Sequence, residues 1–235
     1  MISMTVDTEW CPDPVIEDTV ALLDRYGVEA TLFSTHDDGV DAPSHERALH
    51  PNFLDADSEE AVLAEVAADF PDAEGLRSHA MYVHSQLRDL YPEYGITFGS
   101  NYMQYLVEDI RPFWLLDGVI QFPVYFMDDM WFRSRASTKR LPDIESLLSG
   151  EGLKVFDFHP VHVYLNTPTQ EYYQNHKDDY QDSAALQEAR AEGPGVRDLF
   201  VALIKEIERT GRETKTLGDL AAEFRVSNDP DDISI

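Results

Sequence analysis

The chain has a single cysteine, Cys11, so no internal disulfide can form and an oxidising compartment gains no support. A cytoplasmic location is the expectation. Basic residues are scarce: 18 Lys and Arg stand against 45 Asp and Glu, a formal net charge of -27. No basic stripe exists to displace counterions from a phosphate backbone, which argues against a nucleic-acid partner. No run approaches the ~20 apolar residues of a membrane span, and reading from Ile2 reveals neither a basic leader nor an apolar segment of signal-peptide length. A soluble chain with no integral membrane segment is predicted. Internal repeats, heptad arrays and low-complexity tracts are also missing.

What is present is core-forming material. Of 235 residues, 43% are hydrophobic and 11% aromatic, enough for one sizeable core and cramped for two domains. Leu, Val, Ile and Phe recur periodically, so the acidic excess reads as a carboxylate-covered surface and not as disorder. Such a surface is a habit of halophilic proteins and suits a salt-rich cytoplasm.

Strand and helix signals alternate. Strands are expected at Ile2 to Val6, Val28 to Ser34, Ala48 to His50, Gly75 to Ser78, Ile96 to Gly99, Val119 to Tyr125 and Lys154 to His159. Helices are expected from Pro14 to Tyr26, from Ser58 with a core face of Val62, Leu63, Val66 and Phe70, and at His84 to Tyr94 and Pro142 to Leu148. A strong helix follows Pro194, with Val196, Leu199, Phe200, Leu203, Ile204 and Ile207 on one face and Gly211 as its stop, and a shorter one spans Thr216 to Phe224. Residues 167–192 are polar and weakly periodic, consistent with short helices or with a mobile excursion over a site. The expected organisation is one catalytic domain over 1–225, including that excursion, and an acidic frayed tail over 226–235.

Chemistry-bearing residues fall where strands stop. Asp7 and Glu9, two apart at the end of the first strand, point to one side. His36, His50, Arg77, His79 and His159 each follow an apolar run. In a barrel of alternating strands and helices the carboxyl ends of the strands share one mouth, so these groups become neighbours there. That pattern predicts a metal-dependent hydrolase.

The residues also carry a resemblance. Thr5-Val-Asp-Thr-Glu9, Gly27-Val-Glu-Ala-Thr-Leu-Phe33, His50-Pro-Asn-Phe53, Arg77-Ser-His79, Phe158-His-Pro-Val-His162 and Lys215-Thr-Leu-Gly-Asp-Leu220, in this order from Ile2 to Phe224, resemble the polysaccharide deacetylase superfamily. This is the NodB-homology domain, and the chain is more similar to its divergent WbmS-like branch. The resemblance implies an α/β fold, a distorted (β/α) barrel of about seven parallel strands. It also implies a divalent ion, Zn²⁺ being expected, and removal of an acetyl group from a sugar or glycan precursor.

On the family pattern Asp7 is the base, Glu9 a metal ligand, His50 the first metal histidine and His159 the catalytic acid. His162 is then a supporting or substrate-binding group. The usual second histidine, four residues after His50, is replaced by Leu54. His79 is the nearest strand-end candidate for the missing nitrogen, with His36 in reserve. Asp128 or Asp129, ahead of Trp131, corresponds to a family carboxylate that fixes the base or acid, orienting Arg77 or His159.

The bland readings stand beside these. Asp7 and Glu9 could be an acidic cluster at a helix N-terminus, the histidines could be hydrogen-bonded loop residues, and Cys11 is read as an inert hydrophobe. Thr35-His-Asp-Asp-Gly39 resembles the family signature Thr-Phe-Asp-Asp-Gly but follows the second strand, where the signature belongs to the first, and reads as a turn. Trp10, Tyr82, Tyr102, Trp114, Tyr125 and Trp131 are candidates to stack on sugar rings, Tyr82 and Trp131 above all. Two other functions remain open: hydrolysis of another small C–N amide, and a catalytically silent sugar-binding or polysaccharide-assembly protein.

Overall fold

The computed structural model describes residues 1–115, 118–134 and 140–228. Most of the acidic tail therefore lies outside the described residues. Strand β1 (Ile2–Asp7) is buried on both faces, as a central parallel strand must be. Helix α1 (Asp13–Arg25) follows, with Pro14 in its first turn and Val15, Ile16, Thr19, Val20 and Leu23 buried. Its cap is Pro12, and the left-handed Gly27 turns the chain into β2 (Ala30–Ser34). No helix connects β2 to β3 (Glu46–Leu49): the 35–45 segment is a turn in which Asp38 accepts two hydrogen bonds from Arg47, at 2.6 and 2.8 Å. The Thr35–Gly39 stretch is thus a structural loop.

Helix α2 (Glu59–Asp69) starts at Ser58, whose side chain accepts the Ala61 amide. It leads to β4 (Gly75–Leu76), then α3 (Leu87–Leu90) and a 3₁₀ turn over Tyr91–Tyr94, so the longer helix expected at His84 to Tyr94 is only partly realised. β5 (Phe98–Gly99) precedes a hairpin of β6 (Phe113–Trp114) and β7 (Ile120–Gln121), the one antiparallel pair among the described strands.

The strand expected at Val119 to Tyr125 is two strands, because Pro123 has no N–H to give a ladder. β7 pairs with β5 on one side, and β8 (Val124–Met127) pairs with β9 (Lys154–Phe158) on the other. Helices α4 (Asp128–Ser134) and α5 (Ile144–Leu148) lie between β8 and β9. The nine strands run β6-β7-β5-β4-β3-β2-β1-β9-β8, a mixed sheet curled into a half-barrel; this is the distorted (β/α) barrel expected, with β6 added antiparallel and nine strands described against about seven.

After β9 come α6 (Pro160–Leu165), α7 (Gln170–His176), α8 (Ser183–Glu188), α9 (Val196–Thr210) and α10 (Leu217–Ser227). Residues 167–192 are therefore short helices. Their base is pinned by Asn166, whose amide donates to the Ala191 and Gly193 carbonyls at 2.9 Å. Gly195 passes so close to Asn166 that a Cβ there would sit 2.1 Å from its carbonyl oxygen. The face of α9 is buried at the six positions its periodicity predicts. No helix among the described residues is long and apolar enough to cross a membrane.

Candidate active site

Five strand ends deliver the site. β1 supplies Asp7 and, past its end, Glu9; β3 ends before His50; β4 ends before Arg77 and His79; β8 runs into Asp128; and β9 carries Asp157 and ends before His159. The parallel register of β2, β1 and β9 sets these ends side by side.

One half of the site is tied together by Arg77, with Asp157 Oδ2 left without a hydrogen-bond partner. Arg77 is completely buried, and its Nη1 lies 2.7 Å from Asp7 Oδ1, 2.6 Å from Asp157 Oδ1 and 3.0 Å from Thr5 Oγ1. Nε and Nη2 donate to the Ser100 carbonyl and hydroxyl, and the guanidinium lies 4.2 Å over the Phe33 ring. A buried charge needs this much compensation to persist. Asp157, buried beside Asp7, has its carboxyl held well above the usual range by desolvation, against the pull of Arg77.

His159 is held in a similar way by Asp128, 2.7 Å from its Nδ1, which also accepts the backbone N–H groups of His159 and Asp129. Burial pushes the imidazole down, but the Asp128 and Glu9 charges outweigh it and hold His159 well above the ordinary range. Burial raises Asp128, against the pull of the His159 charge and of the backbone N–H groups of His159 and Asp129 that it accepts.

The other half is open. Glu9, His50 and His79 offer one ligand atom each within 4.8 Å of one another, with His79 Nδ1 2.9 Å and His50 Nε2 4.0 Å from Glu9 Oε1. His50 is buried, yet neither ring nitrogen has a hydrogen-bond partner. Two imidazole nitrogens and a carboxylate suit a borderline divalent ion such as Zn²⁺. Burial would raise Glu9, but the His159 charge and the adjoining His50 and His79 rings hold it well below the usual carboxylate range. Glu9 and Trp10 both have left-handed backbone, φ 44° and 57°, which costs non-glycine residues about 1–3 kcal/mol each. The bend places the Glu9 carboxylate by the histidines and the Trp10 ring edge-on to His79 at 5.4 Å.

A cleft of about 480 Å³ opens over these groups, reached by Asp7, Glu9, His79, His159 and His162 and walled by Met81, Met103, Met127, Met130, Arg133 and Tyr173. A larger cavity, about 580 Å³, lies among Glu46, Asp72, Glu74 and Asp219 at the opposite ends of the strands and gathers no comparable set.

Not every candidate reaches the cleft. Trp131 is buried in the core, and Tyr82 packs on Phe53 and His84, so neither is placed to bind substrate there. Tyr102, Trp114 and Tyr125 stack on Phe113, Phe224 and Phe156. His36 contacts its neighbour Thr35 and stays apart from Glu9. Leu54 is exposed. His162 lines the cleft between Phe132 and Tyr173, and burial followed by the His159 charge holds it well below the ordinary range, hence neutral. Asp129 lines the cleft while Asp128 is the histidine's partner. Asp157 had not been singled out, though an acid inside the apolar run Val155-Phe-Asp-Phe158 is itself a signal of a buried partner.

The strand ends of the half-barrel thus gather an arginine-held carboxylate, a carboxylate-held histidine and an open Glu/His/His set. The WbmS-like polysaccharide deacetylase model matches residues 4–177, and the chain belongs to that family. Among solved structures it is similar to a polysaccharide deacetylase involved in O-antigen biosynthesis from Bordetella bronchiseptica, with TM-score 0.80 and 24% identity over 87% of this chain and 90% of that one. It is also similar to a CE4-family pseudoenzyme from Bacillus anthracis, with TM-score 0.51 and 12% identity over 94% of this chain and 65% of that one. A search of the curated proteins found no match.

Proposed function

We propose that the protein is a metal-dependent carbohydrate deacetylase that hydrolyses an acetyl amide or ester on a sugar or glycan precursor. The observation that carries this reading is the open ligand set Glu9, His50 and His79 set against Asp7 and His159. Those three residues would hold one divalent ion, which would supply Lewis acidity to the acetyl carbonyl and to water.

The chain's own groups do the rest. Asp7, oriented by Arg77, takes a proton from the attacking water as its oxygen bonds to the carbonyl carbon. His159, charged by its pairing with Asp128, gives a proton to the departing nitrogen or oxygen as the bond to carbon breaks. The products are acetate and a free amine or hydroxyl. Zinc content measured on protein purified in high salt, with acetate release from N-acetylated sugars, tests the reading. One zinc per chain together with acetate release is the expected result.

Exposed Leu54, in the place of a family histidine, supports a second reading as a silent sugar-binding protein. Protein that binds such sugars without zinc and without releasing acetate would establish that reading instead. A salt-rich cytoplasmic setting belongs to the proposal, supported by the net charge and by a cysteine that is buried and unpaired.

A further inference from the structure

The segment 167–192 plays no part in that chemistry, yet its tip touches left-handed backbone of the site. Tyr180, between a 3₁₀ turn over Lys177–Asp179 and α8, donates its hydroxyl hydrogen to the Glu9 carbonyl at 2.6 Å. The next residue, Gln181, donates from Nε2 to the Trp10 carbonyl at 2.9 Å. The two carbonyls belong to one of two consecutive left-handed pairs at the cleft, the other being Ala80 and Met81. The Tyr180 oxygen is also 3.2 Å from Cys11 Sγ. Within the loop, the Trp10 amide donates to Thr35 Oγ1 and the Cys11 amide to the Thr8 carbonyl, both at 3.0 Å. Left-handed residues other than glycine persist only where the surroundings over-determine them. Two of these anchors, on Thr35 and Thr8, are local to the strand ends. The other three, on the Glu9 and Trp10 carbonyls and on Cys11 Sγ, come from Tyr180 and Gln181, 169 to 171 positions away in the sequence.

We propose that Tyr180, seconded by Gln181, is a positioning residue for Glu9: the 167–192 segment is a strap that locks the Glu9–Trp10 bend and so aims the carboxylate at the histidine pair. The proposal rests on the reading of Glu9 as a metal ligand. Asn166 holds the two ends of the strap together, so the tip is delivered by a closed loop and not by a free arm. Released from the strap, Glu9 and Trp10 relax toward ordinary backbone. The carboxylate then leaves the histidines and the Trp10 ring leaves His79.

The test compares the full chain with Tyr180→Phe, Gln181→Ala, Cys11→Ala and Glu9→Gln by zinc titration calorimetry, by cobalt absorption spectra and by hydrogen exchange of the metal-free proteins. Losing one hydrogen bond to a ligand-bearing carbonyl corresponds to about a tenfold loss. Tyr180→Phe is therefore expected to weaken zinc about tenfold, alter the cobalt spectrum and speed exchange in the peptide spanning Thr8 to Cys11, while β9 peptides and the denaturation midpoint hold. Gln181→Ala should move the same readouts less, and Cys11→Ala should leave zinc affinity within about twofold of the parent. Wild-type zinc affinity and wild-type exchange in Tyr180→Phe overturn the proposal. If Glu9→Gln weakens zinc in that same experiment, only the strap has failed; if Glu9→Gln binds zinc like the parent, the ligand reading falls and takes the strap with it.

Discussion

The two halves of the site are built in opposite ways. Around Asp7, Arg77 and Asp157, all three guanidinium nitrogens meet carboxylates, hydroxyls or a carbonyl, and the buried charge is faced by carboxylates of the chain, with Asp157 Oδ2 the one atom of the set left without a partner. Around Glu9, His50 and His79, buried imidazole nitrogens have no hydrogen-bond partner and the backbone is bent into a costly conformation. Completed polar networks specify structure, whereas an incomplete one persists where something outside the chain repays it. The first half is made for folding and for holding a base. The second is the half that the proposed ion would complete.

The largest expected effect breaks the tied half. Arg77→Leu leaves Asp7 and Asp157 buried together without a cation, and loss of one partner of a buried pair costs about 3–5 kcal/mol. Urea unfolding of the metal-free protein should show it. Asp157→Asn should cost far less, because burial already favours the neutral acid at that position. Equal losses in the two variants would show that Asp157 is ionised.

His159→Ala comes next, with an expected loss of ~10²–10⁴ in kcat/KM for an N-acetyl sugar and a much smaller loss for an activated aryl acetate, whose leaving group needs no proton. The profile against pH should be bell-shaped. The acidic limb reports loss of the general base. His159 must be protonated, and its folded value is raised, so the basic limb lies well above pH 6.5 and activity is lost as pH rises through it. The same protonation contributes stability that is complete below pH 6.5 and lost as pH rises through the raised value. Asp128→Asn removes the largest raising influence and should bring the basic limb down. A limb that stays in place excludes His159 as the acid; neutral His162 is then a poor substitute.

The open half should respond in metal affinity and not in folding. His79→Ala, at a half-buried ring, is expected to weaken zinc about 10- to 100-fold with little change in metal-free melting, while His36→Ala leaves zinc binding as it was. A metal-free melting loss of several degrees in His79→Ala would show that its pairing with Glu9 supports the fold, and the contrast between the halves would be gone.

Much of this was legible in residue order. Strand-end chemistry is a local pattern: an apolar run stops, and a carboxylate or histidine follows, as at Asp7, His50 and His159. The α9 face is likewise written in its 3.6-residue period. Three things were not legible. The two strands around Pro123 join different neighbours, which depends on long-range pairing and not on the run itself. Trp131 and Tyr82 turn inward because burial of an aromatic is decided by its packing partners. The hold of Tyr180 on Glu9 spans 171 residues, and no periodicity encodes a contact between a loop and a strap.

The smallest effect sharpens the comparison from outside it. Forty-five acidic residues against 18 basic ones leave a net charge of -27, and mutual repulsion among surface carboxylates disfavours the compact state. At 1 M salt the screening length is ~3 Å, so molar KCl should raise the melting temperature; each kcal/mol recovered is worth about 2–4 °C in a chain of this size. Salt reaches the surface far better than it reaches Arg77, which is completely buried. The increment with KCl should therefore be the same in wild type and in Asp157→Asn, although their starting temperatures differ. A melting temperature that ignores salt removes the halophilic reading and leaves the site untouched. A salt increment that shrinks in Asp157→Asn shows instead that the tied half is exposed to solvent ions, and that the division between a closed half and an open one is drawn in the wrong place.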